Sequence, residues 1–190
     1  MTTRRVAWRR SCEPDVHEHC TLTVRGAGLS LVGCVLGADE GVPMRVEYRV
    51  ETDSSGLTAA AHVEHLRGFE QRTLHLARDS AGQWTVDGAV AGRLEGCTDV
   101  DLGCSPATNT LPIRRLRLGV GASGTVQAAW VRFPELTVAK TTQTYERLGE
   151  FTYRYSSGAF DSELTVDDDG LVVVYDEWRR TGTAVGPEDV

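Results

Sequence analysis

The segment from Gly96 to Arg117 contains the side chains of this 190-residue chain whose types and spacing could do chemistry. Asp99 and Asp101 are two positions apart, so both carboxylates would lie on one face of a β-strand. Arg114 falls in the same alternating phase as the three apolar residues that follow it. A buried guanidinium must be paired or hydrogen-bonded, because an isolated buried charge costs several kcal/mol. The expected partners of Arg114 are therefore one of the two aspartates or the polar headgroup of a bound ligand.

Three functions are compatible with this segment. In the first, Arg114 and Asn109 contact the headgroup of a small amphiphile, Asp99 and Asp101 are further ligand-binding residues, and no reaction is catalysed. In the second, Asp99 and Asp101 divide the acid and base roles of a hydrolase that acts on a sugar or an ester, with Arg114 in the same site. In the third, Arg114 extends to water from a strand end, and the protein is structural, with an interior filled by its own side chains. We expect the first, a binding protein that is not an enzyme.

Aromatic side chains could form the wall of such a binding site. An indole ring offers two apolar faces and one polar N–H, which suits contact with an amphiphile. We therefore expect Trp8, Trp130 and Trp178 to line the cavity, although packing in the core would explain each of them equally well. Arg132 lies in phase with Trp130, so, like Arg114, it is a guanidinium on an apolar face that needs a partner. It is therefore also a candidate ligand-binding residue.

Other motifs do not indicate a cofactor or a metal. Gly119–Gly124 matches GxGxxG, but strand-like residues follow it, where a dinucleotide site needs the N-terminus of a helix. His17–Cys20 lacks the ligand spacing of zinc sites. Asp167–Gly170 begins like a calcium loop but lacks the glutamate that would complete it. We expect turns at the first and third motifs and an ordinary strand at the second, with no cofactor and no metal.

Composition excludes several classes of partner. The formal net charge of −7 argues against a nucleic-acid backbone, because phosphate binding requires a basic face. The chain has no apolar run long enough to span a membrane, and its basic start is not followed by the apolar region of a secretory signal. The cysteines are odd in number and form no CxxC pair: Cys12, Cys20, Cys34, Cys97 and Cys104. We expect reduced thiols and a cytoplasmic location.

Strand patterns position these residues. Arg45–Thr52 and Phe151–Tyr155 alternate between apolar and polar residues, which is the period of half-buried strands. Turn clusters recur every ten to fifteen residues or so, and no long amphipathic helix is evident, so the fold class is all-β. The alternation also predicts a strand from Arg114 to Val120. The two halves of the chain share a similar β pattern, which suggests an internal duplication. We expect one domain over residues 1–180 and a frayed tail over residues 181–190.

The central motifs resemble the bacterial family of "putative glycolipid-binding" proteins. The segments that carry this resemblance are Gly96–Leu102, Ser105–Leu116, Ala129–Pro134, Gln143–Tyr145, Tyr153–Tyr155 and Gly170–Val172. The resemblance spans most of the chain. It implies a spiral β-roll, in which one long antiparallel sheet curls into a barrel-like body with an apolar interior, as in bacterial lipoprotein carriers. It also implies a glycolipid or fatty-acyl ligand, on the strength of a likeness in fold.

Overall fold

The computed structural model describes residues 1–11 and 16–186, and these residues form one curled sheet of 15 strands. The strands are β1 (Thr2–Arg10), β2 (His17–Arg25), β3 (Gly28–Asp39), β4 (Val42–Thr52), β5 (Thr58–Arg67), β6 (Glu70–Arg78), β7 (Trp84–Val86), β8 (Ala89–Val90), β9 (Asp99–Leu102), β10 (Ser123–Arg132), β11 (Thr137–Arg147), β12 (Thr152–Ser157), β13 (Phe160–Val166), β14 (Val172–Tyr175) and β15 (Trp178–Val185). Two 3₁₀ turns, Gly92–Leu94 and Ala107–Asn109, and a short helix α1 (Thr110–Leu116) complete the described elements. The fold class is all-β, as predicted.

The sheet has two arms that meet at its centre. One arm runs outward from β1 to β8 and the other from β15 to β9, and β1 pairs with β15 where the arms join. Neighbouring strands are antiparallel, as expected, with one exception: β9 runs parallel to β10. A parallel pair needs a long crossover, and the chain from Gly103 to Ala122, which includes α1, supplies it. The sheet is curled but not closed into a barrel. An internal duplication of the two arms stays a prediction.

Where the sequence alternates between apolar and polar residues, the apolar residues are buried and the polar residues face solvent. In β4, Val46, Tyr48 and Val50 are buried, whereas the intervening charged residues are exposed. Tyr153 and Tyr155 of β12 are buried in the same way. These two strands therefore have one face toward the core and one toward solvent, as half-buried antiparallel strands do, whereas β9 is buried on both faces. The turns predicted at Gly119–Gly124 and Asp167–Gly170 are present, and no helix follows the first.

The strand predicted from Arg114 to Val120 is wrong. Residues 110–116 form α1, which ends where Arg117 takes a left-handed conformation with φ 47°. Pro112 is tolerated because the first turn of a helix leaves its N–H groups unpaired in any case. Leu111 and Ile113 are buried by α1, so tertiary packing overrides the local alternation. Arg114 and Arg115 consequently point to different sides of a helix.

Strand β15 continues beyond the boundary expected at residue 180. Arg4 of β1 pairs with Val185, so residues 181–185 are part of the sheet and not a frayed tail. The pairing with β1 at the centre of the sheet supplies the backbone hydrogen bonds that a free tail would lack. Residues 187–190 and Cys12 lie outside the described residues. The described part of the chain contains no helix long and apolar enough to cross a bilayer.

Thr58 of β5 hydrogen-bonds to β9, the last strand of the other arm. Its backbone N–H donates to the Thr98 carbonyl over 3.0 Å, and its Oγ1 accepts from the Val100 N–H over 3.0 Å. Thr58 is fully buried. The next outward N–H of β9, that of Leu102, donates to Thr108 Oγ1 over 3.3 Å. Two hydroxyl groups thus satisfy donors on the edge of β9 that would otherwise be free to pair with another strand.

Two clusters of apolar residues fill the inside of the curl. The larger packs the β1–β7 arm against β9 and β10 and includes Trp8, Leu31 and Trp84. The smaller packs α1 against β10–β14 and includes Ile113 and Leu164. Tyr175 packs against both clusters, so it marks the seam between them.

We predict that Thr58→Val lowers the free energy of unfolding by about 1–3 kcal/mol, because the Val100 N–H would be left buried without an acceptor. Urea unfolding of the variant and the wild type measures the difference. Thr58→Ser, which keeps the hydroxyl, should lose less. Thr73→Val, at an exposed position on β6, is the matched control and should stay within about 0.5 kcal/mol of wild type. Equal stability of Thr58→Val and Thr73→Val would contradict the proposed closing contact.

Candidate functional site

Two cavities open at the seam between the apolar clusters. The aromatic cavity, of about 520 Å³, is lined by Trp130, Tyr155, Phe160, Tyr175 and Trp178 together with polar groups that include Arg10, Asp101, Ser105 and Asn109. The arginine cavity, of about 790 Å³, is lined by Arg114, Arg115, Arg117 and Arg147 together with the turn 167–170. Both volumes lie in the range of small-molecule sites.

The rings of the aromatic cavity come from successive strands and hold one another in place. The Tyr155 ring centroid lies 5.9 Å from that of Tyr175 and 6.0 Å from that of Phe160, in edge-to-face contacts. The Phe160 and Tyr175 centroids are 6.3 Å apart. Such contacts add to the stability that burial alone supplies, so this wall is preorganised. Phe160 is 42% exposed and forms the outer rim.

Trp130 forms a different part of the wall. Its indole packs against Gly103, where a Cβ would lie 2.9 Å from Trp130 Nε1, so only glycine permits this approach. The Arg132 guanidinium lies 4.4 Å from the centroid of the Trp130 ring, within the range of a cation–π contact. Arg132 itself is exposed. It supports the tryptophan and is not part of the cavity lining.

Asp101 and Asn109 supply polar groups to the same cavity. Asp101 Oδ2 accepts from Gln143 Nε2 over 2.7 Å, and Oδ1 accepts from Thr108 Oγ1 over 3.2 Å. Burial raises the pKa of Asp101, while these two hydrogen bonds oppose the rise. Asn109 Oδ1 accepts from the Tyr145 hydroxyl over 2.9 Å. Each carboxylate oxygen of Asp101 can accept a further hydrogen bond, so Asp101 can still receive a hydroxyl donor from a ligand.

The expected association of Arg114 with Asp99 or Asp101 does not occur. Arg115 pairs with Asp99 instead, through its Nη2 on Oδ2 and its Nε on Oδ1, and Thr98 Oγ1 donates to the same carboxylate over 2.7 Å. Asp99 is 1% exposed and does not line the aromatic cavity. Consecutive residues of a helix point in different directions, which is why α1 presents the neighbouring Arg115 to this aspartate.

Arg114 lines the other cavity. Its Nη1 donates to the Asp169 carbonyl over 2.7 Å and lies 3.7 Å from Asp169 Oδ1. The Arg114 side chain is 30% exposed. The structure therefore divides the residues that were expected to form one site: Asp101 and Asn109 lie in the aromatic cavity and Arg114 in the arginine cavity.

The three candidate tryptophans also separate. Trp130 and Trp178 line the aromatic cavity, and their contact with a ligand stays a prediction. Trp8 lines neither cavity; it is fully buried, and its Nε1 donates to the Val172 carbonyl over 2.8 Å. Trp8 therefore has the core role that was the alternative for each tryptophan.

Sequence reasoning missed a buried carboxyl behind the aromatic cavity. Glu18 Oε1 accepts from the Tyr48 hydroxyl over 2.5 Å and from Ser105 Oγ over 2.6 Å, and Ser105 lines the cavity. Glu18 Oε2 is buried without a hydrogen-bond partner in the described structure. Burial raises the pKa of Glu18 to about 7 from an ordinary value of 4.5, although both hydrogen bonds oppose this.

Gly33 makes the position of Tyr48 possible. The two residues pair across β3 and β4, and a Cβ on Gly33 would lie 2.3 Å from Tyr48 Cζ. The tyrosine ring therefore lies over the glycine backbone and reaches Glu18. The sequence did indicate this residue. Glu18 alternates in phase with the apolar Cys20 and Leu22, so, like Arg114, it was a charged residue expected on a buried face and in need of a partner.

A family model described as "Putative glycolipid-binding" matches residues 5–180. The chain belongs to this family. The matched range contains every residue that lines the two cavities, so both lie in the region that defines the family.

A solved structure supports the family's fold. The chain is similar to a DUF1089 family protein from Pseudomonas aeruginosa, with 32% sequence identity, a TM-score of 0.73, and coverage of 84% of this chain and 89% of that one. No curated protein matches the chain. The resemblance inferred from the central motifs is thus confirmed.

We predict that the pKa of Glu18 makes stability depend on pH. Because the folded state holds this proton more tightly than the unfolded state, the contribution of Glu18 to stability is full below pH 4.5 and is lost as pH rises from 4.5 through 7. In Glu18→Gln this contribution is absent, so the difference in unfolding free energy between wild type and variant should shrink by about 2–3 kcal/mol between pH 5 and pH 8.

Urea unfolding at several pH values measures this difference. Glu163→Gln, at an exposed position on β13, is the control and should follow the wild-type pH profile. Parallel profiles for wild type and Glu18→Gln would contradict the raised pKa.

Proposed function

We propose that this protein binds a lipid-like amphiphile in the aromatic cavity and catalyses no reaction. The observation that carries the proposal is a cavity of about 520 Å³ in which aromatic rings and the Asp101 carboxylate face the same space. The family's description, which refers to glycolipids, supports the class of ligand.

The wall chemistry suits a sugar headgroup. A pyranose has apolar faces formed by C–H groups and an edge of hydroxyls, so its face packs on an aromatic ring while its hydroxyls bond to carboxylate and amide groups. Trp130 and Trp178 offer ring surface, and Asp101 offers acceptors with remaining capacity. We propose that the sugar lies among these three residues.

The acyl chain would leave the cavity past Phe160. This ring is 42% exposed and forms the apolar rim beside Tyr175. Each methylene removed from water contributes about 0.8 kcal/mol before the costs of association are subtracted. A chain of moderate length on this rim therefore supports binding at micromolar concentrations.

The hydrolase alternative has less support. It requires Asp99 and Asp101 to face one substrate, but the Asp99 carboxylate is paired with Arg115 and does not line the aromatic cavity. The structural alternative agrees with the two apolar clusters that fill the inside of the curl, but it leaves the two open cavities at their seam without a role. Arg114 could contact a charged headgroup only from the arginine cavity.

We predict that Phe160→Ala weakens the binding of octyl glucoside roughly threefold to tenfold, because an aromatic contact at the rim is lost. Isothermal titration calorimetry with monomeric octyl glucoside measures the change. Phe151→Ala is a closely matched control, since Phe151 is 39% exposed but lines the arginine cavity. A larger loss in Phe151→Ala than in Phe160→Ala would place the ligand in the wrong cavity for this proposal.

Two further measurements test the class of function. Native mass spectrometry of the protein purified from cells should detect a copurifying lipid, and its absence together with no binding of octyl glucoside would overturn the proposal. A screen with nitrophenyl glycosides and esters should show no turnover. Turnover that Asp101→Asn abolishes would favour the hydrolase instead.

A further inference from the structure

A pair of histidines lies on the outer face of the sheet, away from both cavities. His62 of β5 and His75 of β6 are direct cross-strand partners. Their Nδ1 atoms are 3.1 Å apart, and their ring centroids are 4.3 Å apart with an angle of 37° between the planes. Both side chains are open to solvent in part, because the neighbouring Ala61 and Val63 take the buried face of β5. The proposed amphiphile does not account for this pair.

A carboxylate orients the first of these rings. Glu64 Oε1 lies 3.1 Å from His62 Nε2. An ionised carboxylate can only accept a hydrogen bond, so this contact favours the tautomer with hydrogen on Nε2 of His62 and leaves the Nδ1 lone pair facing His75. The same carboxylate–histidine arrangement orients the histidine ligands of metal sites.

The backbone of the second histidine, His75, is fixed by two hydrogen bonds. The His75 N–H donates to Asp87 Oδ1 over 2.8 Å, and the Asp87 N–H donates to the His75 carbonyl over 2.8 Å. This exchange ties His75 to the turn between β7 and β8. Glu64 thus orients the His62 ring, the turn fixes the backbone of His75, and the two Nδ1 atoms face each other.

The separation of the Nδ1 atoms fits a shared metal ion. With metal–nitrogen bonds of about 2.05 Å, two nitrogens lie about 2.9 Å apart at a right angle and about 3.4 Å apart at a tetrahedral angle. The observed 3.1 Å falls between these two values. At this distance one Nδ1–H can also donate to the other Nδ1, and a metal ion would replace that hydrogen between the two nitrogens if His75 carried its hydrogen on Nε2.

We propose that His62 and His75 bind one divalent transition-metal ion that favours imidazole, such as Zn²⁺ or Cu²⁺. Among the described residues, no group of three or more His, Cys, Asp and Glu side chains is arranged to hold a metal. Water would therefore complete the coordination, and the affinity would be modest. Arg49, the neighbour of His62 on β4, is ion-paired with Glu51, which offsets its charge beside the site.

The surrounding groove provides matched controls. His62 and Glu64 line a shallow groove of about 450 Å³ with His19 and Cys34, whose side chains could also ligate a metal, whereas His75 does not line it. Among the described residues, neither His19 nor Cys34 forms a group of three potential ligands with the pair. A metal that bound anywhere on this face would respond to these residues as well. A metal held by the pair would not.

Titration of the full chain with ZnCl₂, followed by calorimetry, tests the proposal. We expect one site, a loss of affinity of at least tenfold in His75→Ala and in His62→Ala, and no change in His19→Ala. Glu64→Gln, which keeps both ligands, should weaken binding about tenfold, the lower end of the effect of an outer-shell partner. Unchanged affinity in His75→Ala would overturn the proposal.

Two independent readouts distinguish the histidine pair from a metal bound elsewhere on this face. Cu²⁺ bound to the wild type should give an electron paramagnetic resonance spectrum with coupling to two imidazole nitrogens, which a lone histidine cannot produce. Zn²⁺ should raise the melting temperature of the wild type but not that of His75→Ala, because only a ligand bound to the folded state stabilises it. A thiolate-to-metal absorption band with Co²⁺ that Cys34→Ala removes would place the metal at that cysteine and contradict the assignment. These results do not depend on the amphiphile, so they are separate from the outcome of the proposed function.

Discussion

The constraint on which the curl of the sheet depends is the edge of β9, whose backbone donors must be satisfied and which Thr58 contacts. A sheet of this size would expose two free edges, and an open edge attracts other strands. Here the edge of β9 is covered by the hydroxyls of Thr58 and Thr108, and the Thr58 N–H bonds to the Thr98 carbonyl. The two arms, which are joined by β1 and β15 at the centre of the sheet, therefore contact each other a second time at β9, and the curled sheet encloses its two apolar clusters without becoming a barrel.

This closing point also positions the polar residues of the aromatic cavity. Thr108 bonds to the backbone of β9 with the same Oγ1 that donates to the Asp101 carboxylate. Asn109, the next residue, bonds to Tyr145 of β11. The hydrogen bonds that cover the edge of β9 therefore also position the polar residues of the aromatic cavity. We regard this coupling as the reason that a curled, unclosed sheet can hold a preorganised site.

Buried charge is handled in two ways in this fold. Asp99 has Arg115 and Thr98 as partners, so its charge is compensated within the protein. Glu18 has only neutral donors, and burial raises its pKa instead. A paired ion keeps its charge in the interior, whereas a carboxyl without a cation avoids the desolvation cost by holding a proton. The ion pair between Arg115 and Asp99 anchors α1. Glu18 accepts a hydrogen bond from Ser105, which lines the aromatic cavity.

The sequence alone determined the fold class, the family and several of the strands. The alternation of Val46, Tyr48 and Val50 is a local property with a period of two, and a half-buried strand is the structure that uses it. Alternation also singled out Asp101, and the chemistry of the indole ring singled out Trp130 and Trp178; the structure brings these three residues to one cavity. It could also have found Glu18, whose phase with Cys20 is visible in the sequence.

Tertiary structure decided where the charges point. Residues 110–116 have an alternation that a strand and a short helix can share, and the helix forms because it buries Leu111 and Ile113 against different clusters. Because α1 is a helix, Arg115 pairs with Asp99 and Arg114 lines the other cavity. Among the described residues, Asp101 therefore has only neutral hydrogen-bond partners, such as Gln143. Contacts between residues far apart in the chain set these pairings, because the cost of burying a charge depends on the partner it finds and not on the residues beside it.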